Sequence, residues 1–179
     1  LNAGADAYNV AIGYEAGKSV STGNSNTIIG GLAGDALTTG SNNVAIGYLA
    51  LSTEDAHGRN VAIGRQALKD QDAGVDAYNI AIGYNSGMSI STGAYNTLMG
   101  GLAGDALTTG TGNVAVGYQA LSAEDGNGRN VAVGVNALAV QNAGADAYNV
   151  AVGYDAGVAV STGVENVLIG GFAGDALTT

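Results

Sequence analysis

A five-residue block of alternating residues recurs ten times along the chain. It begins with Asn and ends with Gly. Between them, two residues that are apolar or Thr flank a central small or medium apolar residue. In the first block Val10 and Ile12 fall on one side and Ala11 on the other, which is the two-residue period of a β-strand. We name this block the Asn box, and it begins at residues 9, 26, 43, 60, 79, 96, 113, 130, 149 and 166.

The spacing of the boxes predicts a solenoid. The starting positions of successive boxes differ by 17, 17, 17 and 19, and the series then repeats. This period is about half that of repeats built from helix pairs, and 31 Gly residues disfavour helices. We predict an all-β fold, a parallel β-solenoid of about ten coils of 17–19 residues. Each coil should contain a strand of about five residues, a turn, a short second strand and another turn.

The repeats also define the domain organisation. We predict one continuous solenoid over residues 1–179, with super-repeats at 1–70, 71–140 and 141–179, the last of them partial. Because the third copy stops partway through, we expect the natural array to extend further in both directions.

Stacked coils place equivalent residues directly over one another, which predicts two structural columns. Side-chain amides in one column can donate to the next coil and accept from the previous one. Gly residues in the other column allow a bend or a close approach between backbones. The Asn column comprises Asn9, Asn26, Asn43, Asn60, Asn79, Asn96, Asn113, Asn130, Asn149 and Asn166. The Gly column comprises Gly13, Gly30, Gly47, Gly64, Gly83, Gly100, Gly117, Gly134, Gly153 and Gly170.

The two sides of the strand predict self-association. We expect the Val and Ile residues of each box to fill the interior, and the Ala and Gly residues to form a flat apolar outer surface. A single rod would leave that surface in contact with water. We therefore predict a homo-oligomer in which several chains pack side by side, with a homotrimer preferred.

Charge and composition exclude several classes of function. The net charge is −10 and only five residues are Lys or Arg, so phosphate backbones would be repelled and we expect no nucleic-acid partner. The chain has no Cys, which excludes disulfides and thiolate metal ligands. No apolar run approaches the roughly 20 residues of a membrane span, and no basic, apolar leader opens the sequence.

Few residues suggest chemistry. His57 is the only His, and with no Cys we expect neither a catalytic dyad nor a zinc site within one chain. Oxygen-rich turns can bind Ca²⁺, and Asp70, Asp72 and Asp76 form the best candidate. The next super-repeat replaces two of these three carboxylates, so we interpret them as solvated charge and expect no cofactor. The turns also suggest two local ion pairs, Asp55 with Arg59 and Asp125 with Arg129.

A row of Tyr residues follows the box Gly in every other coil, at Tyr14, Tyr48, Tyr84, Tyr118 and Tyr154. A spaced aromatic row can bind the faces of sugars. The alternative, which we favour, is packing between chains or against the adjoining turn, where the intervening Gly residues leave room for the rings.

The NVAIG boxes, each followed three residues later by Ala or once by Ser, resemble the head repeats of YadA-like trimeric autotransporter adhesins. They also resemble the repeat arrays of phage tail fibres. The resemblance covers all ten boxes and implies a left-handed parallel β-roll, a homotrimer and a role in display or attachment. The coils here are longer than those of the adhesin heads, with the excess in turns such as residues 52–59 and 122–129.

From these features we predict a non-enzymatic structural segment of an extended extracellular fibre, on a virion or a bacterial surface, that supports attachment. An alternative is an adhesin module that binds a glycan or protein through turns that differ between copies, such as Asn24–Ser25 against Ala94–Tyr95 and Val164–Glu165. A third hypothesis, a polysaccharide-cleaving enzyme, requires a pair of carboxylates in a groove, and no such pair stands out in the sequence.

Overall fold

The chain folds as a parallel β-solenoid. The computed structural model describes residues 7–179. Ten strands of three residues each form one sheet in chain order, and all neighbours are parallel. The strands are β1 Val10–Ile12, β2 Thr27–Ile29, β3 Val44–Ile46, β4 Val61–Ile63, β5 Ile80–Ile82, β6 Thr97–Met99, β7 Val114–Val116, β8 Val131–Val133, β9 Val150–Val152 and β10 Val167–Ile169.

Equivalent box residues lie in register across every pair of strands. In β3 and β4, for example, Val44 pairs with Val61 and Ala45 with Ala62. With strands about 4.8 Å apart, ten coils give a rod roughly 50 Å long. No helix among residues 7–179 is long and apolar enough to cross a membrane.

The prediction of a second strand in each coil is wrong for the described residues, because turns occupy the rest of each coil. These turns still bond to the neighbouring coil. Gly34 N–H donates to Ala50 C=O at 2.9 Å, and Ser21 N–H donates to Thr38 C=O at 2.9 Å. Hydrogen bonds between coils therefore continue around the circumference without requiring extended backbone.

The predicted sidedness of the strands is also wrong. The central residue of each box faces the interior; Ala45 and Ala62 are fully buried, and so is the larger Ile28. The flanking Val and Ile residues face outward, and Ile12 is 59% exposed. Three boxes have a larger central residue, Ile28, Leu98 or Leu168, and Ile28 and Leu98 are fully buried as well, so the interior side is set by the position in the strand and not by the size of the side chain.

One large aliphatic side chain per coil completes the core, at either of two positions three residues apart. Six coils place Gly at the first position and an aliphatic residue at the second, as in Gly34 with Leu37. Four coils place Leu at the first position and Glu or Gln at the second: Leu51 with Glu54, Leu68 with Gln71, Leu121 with Glu124 and Leu138 with Gln141. A Cβ on Gly34 would lie 2.8 Å from Leu37 Cδ1, so the two positions compete for the same space.

Candidate functional site

The Asn column joins the coils through backbone partners. Asn43 Oδ1 accepts a hydrogen bond from the backbone N–H of Asn60 in the next coil, at 3.0 Å. Asn43 Nδ2 donates to the C=O of His57, 14 residues later in its own coil, at 3.2 Å. The Asn43 side chain thus links two coils and also closes its own.

The link between coils repeats at every step of the column, from Asn9 to Asn166. The predicted partner was the neighbouring amide, whereas a direct contact between column amides is recorded at one step among the described residues, from Asn96 Nδ2 to Asn79 Oδ1 at 3.2 Å. The backbone N–H of each box Asn would otherwise be buried without a partner, which explains why it takes the amide oxygen.

The two longer coils disturb this arrangement. Asn60 and Asn130 begin these longer coils, and their Nδ2 atoms are buried without a partner. The two extra residues displace the carbonyl that the other amides reach. In each case the next Asn of the column bonds to a buried Gln of the longer coil. Asn79 Nδ2 donates to Gln71 Oε1 at 2.6 Å, and Asn149 Nδ2 donates to Gln141 Oε1 at 2.9 Å.

The Gly column brings backbones into contact. Gly117 has a φ of +137°, which side chains rarely tolerate, and a Cβ there would lie 2.3 Å from the C=O oxygen of Gly134. Similar approaches, of 2.7 Å or less to backbone atoms, occur at each step from Gly13 to Gly153. Both predicted columns therefore continue from coil to coil along the rod.

A face that is apolar along its strands, apart from Thr27 and Thr97, runs the length of the sheet on its outer side, and its edges also carry Arg59, Arg65, Arg129 and Glu165. We name it the outer face, and it consists of the first and third residues of every strand together with the residues before the box Asn and after the box Gly. In the fifth coil these are Tyr78, Ile80, Ile82 and Tyr84, of which the two Tyr residues are about half exposed and Ile80 is 37% exposed. The strand residues alone cover about 500 Å², from a spacing of about 4.8 Å and a rise of about 3.3 Å per residue.

The predicted Tyr row lies along one edge of the outer face, and its members are about half exposed or more. A Cβ on Gly31 would be 3.5 Å from the Tyr48 ring, so the ring covers this Gly. The Arg65 guanidinium carbon lies 5.9 Å from the centre of the Tyr48 ring and 5.5 Å from that of Tyr84. The row is thus packed against neighbouring coils along the rod.

A second aromatic column lies along the other edge and was missed by sequence reasoning. The Tyr78 and Tyr95 rings stack 5.7 Å apart. The Arg129 guanidinium lies 5.4 Å from the Tyr148 ring, and Arg59 lies 5.6 Å from Tyr78. The recurring Tyr-Asn pair at the start of four boxes was the available signal.

Two of the four ion pairs that Lys and Arg make among residues 7–179 join adjacent coils, and the other two join close neighbours in the sequence. The predicted pairs Asp55–Arg59 and Asp125–Arg129 are wrong, because Arg59 pairs with Asp76 and Arg129 with Asp146. Of the three carboxylates suggested for Ca²⁺, Asp76 is therefore engaged by Arg59, and Asp70 lies 2.8 Å from Lys69 Nζ.

Asp72 belongs to a different group, which we name the acidic cluster: Glu54, Asp55, His57 and Asp72. One ligand atom from each lies within 4.8 Å of the others. Asp72 joins because it follows Asp55 by one full coil, which places the two carboxylates in adjacent coils. Glu54 is fully buried because it occupies the interior position that Leu37 fills in the previous coil. His57 keeps only 31% of its side chain accessible.

The cluster contains two buried polar atoms without partners, Glu54 Oε2 and His57 Nδ1. Glu54 Oε1 accepts a hydrogen bond from the His57 backbone N–H at 3.0 Å. Burial raises the pKa of the Glu54 carboxyl; the His57 N–H opposes this shift, and the negative charge of Asp72 adds to it. Residues 7–179 form no pocket that would hold a small molecule, at the cluster or away from it.

No protein-family model, curated protein or solved structure significantly matches the chain.

Proposed function

We propose that this chain is a structural segment of an extended extracellular fibre, assembled as a homotrimer and supporting attachment of a virion or a bacterial cell to a surface. The observation that carries the proposal is the outer face, which continues without interruption along ten coils stacked in register. A rod with a constant cross-section holds its two ends a fixed distance apart, which suits a spacer between an anchor and a binding tip.

Charge favours self-association through this face. The chain carries a net charge of −10, so most surfaces of two copies repel each other. The strand residues of the outer face are uncharged in all ten strands. The Val and Ile side chains of this face are also larger than the Ala and Gly residues that the sequence analysis expected there. Burying them between chains therefore removes more apolar area from water per coil, and each Å² contributes about 25 cal/mol to the free energy of association.

Three copies are favoured over two by the resemblance to trimeric adhesin heads and fibre arrays. A three-fold arrangement turns one face of each rod toward a common axis and leaves the acidic turns outside. The assembly requires no catalytic group, and we propose that the chain is not an enzyme. Turnover in a polysaccharide-hydrolysis assay would contradict that part of the proposal.

The mass in solution tests the assembly. Light scattering after size-exclusion chromatography should give three times 17.4 kDa, and electron microscopy should show rods. The variant Val114→Glu with Val131→Glu places charge on the outer face and should yield a folded monomer. The matched control Val75→Glu with Val140→Glu makes the same change in exposed turns and should remain trimeric. A wild-type monomer, or equal masses for both variants, would refute the proposed interface.

A second candidate function, binding of a glycan or protein, is favoured by the exposed stack of Tyr78 on Tyr95, because Tyr95 is 63% exposed in a turn that varies between copies. Aromatic faces of this kind bind sugars. A glycan array with the wild type and with the Tyr95→Ala variant distinguishes the two roles. Binding that disappears in the variant would support an adhesin module, and absence of binding would support the spacer.

A further inference from the structure

We propose that the acidic cluster binds one divalent transition-metal ion per chain, of the Zn²⁺ class, through Glu54, Asp55, His57 and Asp72. This site would tie the turn of the third coil to that of the fourth. It goes beyond the proposed fibre role and does not depend on the oligomeric state.

The geometry of the donors is the first support. All four residues offer a ligand atom within 4.8 Å of the other three. Tetrahedral Zn²⁺ with bonds of about 2.1 Å places its donors about 3.4 Å apart. Each donor would therefore have to move inward by about an ångström or less. Asp55 and Asp72 are exposed at the surface, while Glu54 is buried and its Oε1 accepts a hydrogen bond from the His57 backbone N–H.

The buried, unpartnered atoms are the second and independent support. Glu54 is fully buried, yet its Oε2 has no hydrogen-bond partner. His57 Nδ1 is likewise buried without a partner, 3.7 Å from Glu54 Oε1. An ionised carboxylate oxygen only accepts, and His57 Nδ1 also accepts in the tautomer that is protonated at Nε2, so in these forms neither atom satisfies the other. A cation between them satisfies both.

Unbalanced charge is the third support. Asp55 and Asp72 lie in adjacent coils at equivalent positions, where like charges repel. Neither of them takes part in an ion pair with Lys or Arg among residues 7–179. Three carboxylates thus converge on one side chain that carries at most a single positive charge, and a divalent ion would neutralise most of the excess.

The donor set selects the class of ion. Ca²⁺ takes six to eight oxygen ligands, and Mg²⁺ also prefers oxygen and retains water. An imidazole nitrogen combined with carboxylates suits Zn²⁺ and its first-row neighbours. The sequence-based expectation of no zinc site considered only His and Cys as ligands, and it did not anticipate that stacking would bring Asp72 beside Glu54 and Asp55.

The second super-repeat provides an internal control. Its equivalent residues are Glu124, Asp125, Asn127 and Asn142, so the buried carboxyl is retained while the ring nitrogen and one carboxylate are replaced. Glu124 Oε2 is also unpartnered. The unpartnered oxygen is therefore common to both copies, and the complete ligand set occurs only in the first.

Titration of the untagged, metal-free chain with ZnCl₂, followed by calorimetry, tests the proposal. We expect one Zn²⁺ per chain, a higher unfolding temperature with Zn²⁺, and at least tenfold weaker binding of Ca²⁺. The variant His57→Asn with Asp72→Asn converts the cluster into the residues that the second copy already accommodates, so it should fold and lose the site. The reverse variant, Asn127→His with Asn142→Asp, should bind two Zn²⁺ per chain. Asp70→Asn removes a nearby carboxylate outside the cluster and should change nothing.

NMR supplies a direct readout because His57 is the only His in the chain. Its ring signals should shift with one equivalent of Zn²⁺ and not with Ca²⁺. No Zn²⁺ binding, binding that survives His57→Asn with Asp72→Asn, ring signals that ignore Zn²⁺, or preference for Ca²⁺ would overturn the assignment. None of these outcomes affects the fibre proposal, which is tested by the mass.

Discussion

A single methyl group in the Gly column should separate two coils. Gly117 lies in the seventh coil, and a Cβ there would be 2.3 Å from the C=O oxygen of Gly134 and 2.5 Å from its carbon. Both atoms are backbone, so no side-chain rotation relieves the overlap. The φ of +137° adds a second obstacle, because this region is almost restricted to Gly.

Two other Gly residues separate these contributions. Gly101 has ordinary backbone geometry, and a Cβ there would be 3.5 Å from the Tyr118 ring, which is normal contact. Gly74 has a φ of +68° and nothing within 4 Å, so Ala there adds backbone strain without overlap. We expect Gly101→Ala to change the free energy of unfolding by under about 1 kcal/mol, Gly74→Ala to lower it by about 1–2 kcal/mol, and Gly117→Ala to lower it by more than about 4 kcal/mol.

Thermal unfolding followed by circular dichroism measures the series. One kcal/mol corresponds to about 2–4 °C for a chain of this size, so Gly117→Ala should unfold at least about 8 °C below the wild type. Repeat proteins depend on contacts between neighbouring units, so the same variant should also broaden or split the transition. If Gly117→Ala unfolded at the same temperature as Gly101→Ala, the close backbone stacking of the coils would be refuted.

Three further perturbations test other parts of the fold by the same thermal assay. Asn113→Ala leaves the Asn130 N–H without its acceptor and should cost about 2–4 kcal/mol, whereas the exposed Asn24→Ala should cost under about 0.5 kcal/mol; equal effects would contradict the role of the column. Burial raises the pKa of Glu124, so the folded state binds its proton more tightly than the unfolded state. The stability that this tighter proton binding contributes is fully present below about pH 4.5, the ordinary pKa of a Glu carboxyl. It is lost as the pH rises through the pKa of Glu124 in the folded state. The unfolding temperature should therefore be higher at pH 5 than at pH 7, with a smaller difference in Glu124→Gln; a rise toward pH 7 would contradict this. Gln119 has a φ of +55°, so Gln119→Gly should stabilise by about 0.5–1 kcal/mol, and a loss would show that this backbone is not strained.

The period of the sequence predicted much of the fold. Box spacing was sufficient to place the ten strands in order and in register, because stacked coils require equivalent residues to coincide. The sidedness of the strand was predicted incorrectly, since bulky residues were assumed to lie inside. Thr27 and Thr97 occupy the first strand position in two boxes and now lie on the outer face. A polar residue at that position was the signal that it faces outward.

The acidic cluster could not be predicted from the local sequence. Asp72 is a full coil away from Asp55 along the chain, and the two meet only because the intervening residues close that coil. Asp70 and Asp76 stand much nearer to Asp72 in the chain, yet each takes a cation of its own, Lys69 and Arg59. Proximity in sequence therefore suggested the wrong group of carboxylates. The box-to-box period that defines the fold would have suggested the right one.

The exchange of core positions explains how a carboxyl comes to be buried in a fold with so little interior. In the third coil Leu51 fills the space that Leu37 fills from the other position in the second coil, which frees the second position for Glu54. Leu51 has a φ of +49°, at a cost of about 1–2 kcal/mol. Full burial of a Leu side chain contributes about 1.5–3 kcal/mol, which offsets that strain. The core therefore keeps its aliphatic side chain while a polar residue occupies the second position. The same exchange at Leu121 allows Glu124 to be buried. Sites for polar chemistry in this solenoid should accordingly occur where Leu replaces the first-position Gly, because only there can the interior accept a charge without losing its aliphatic core.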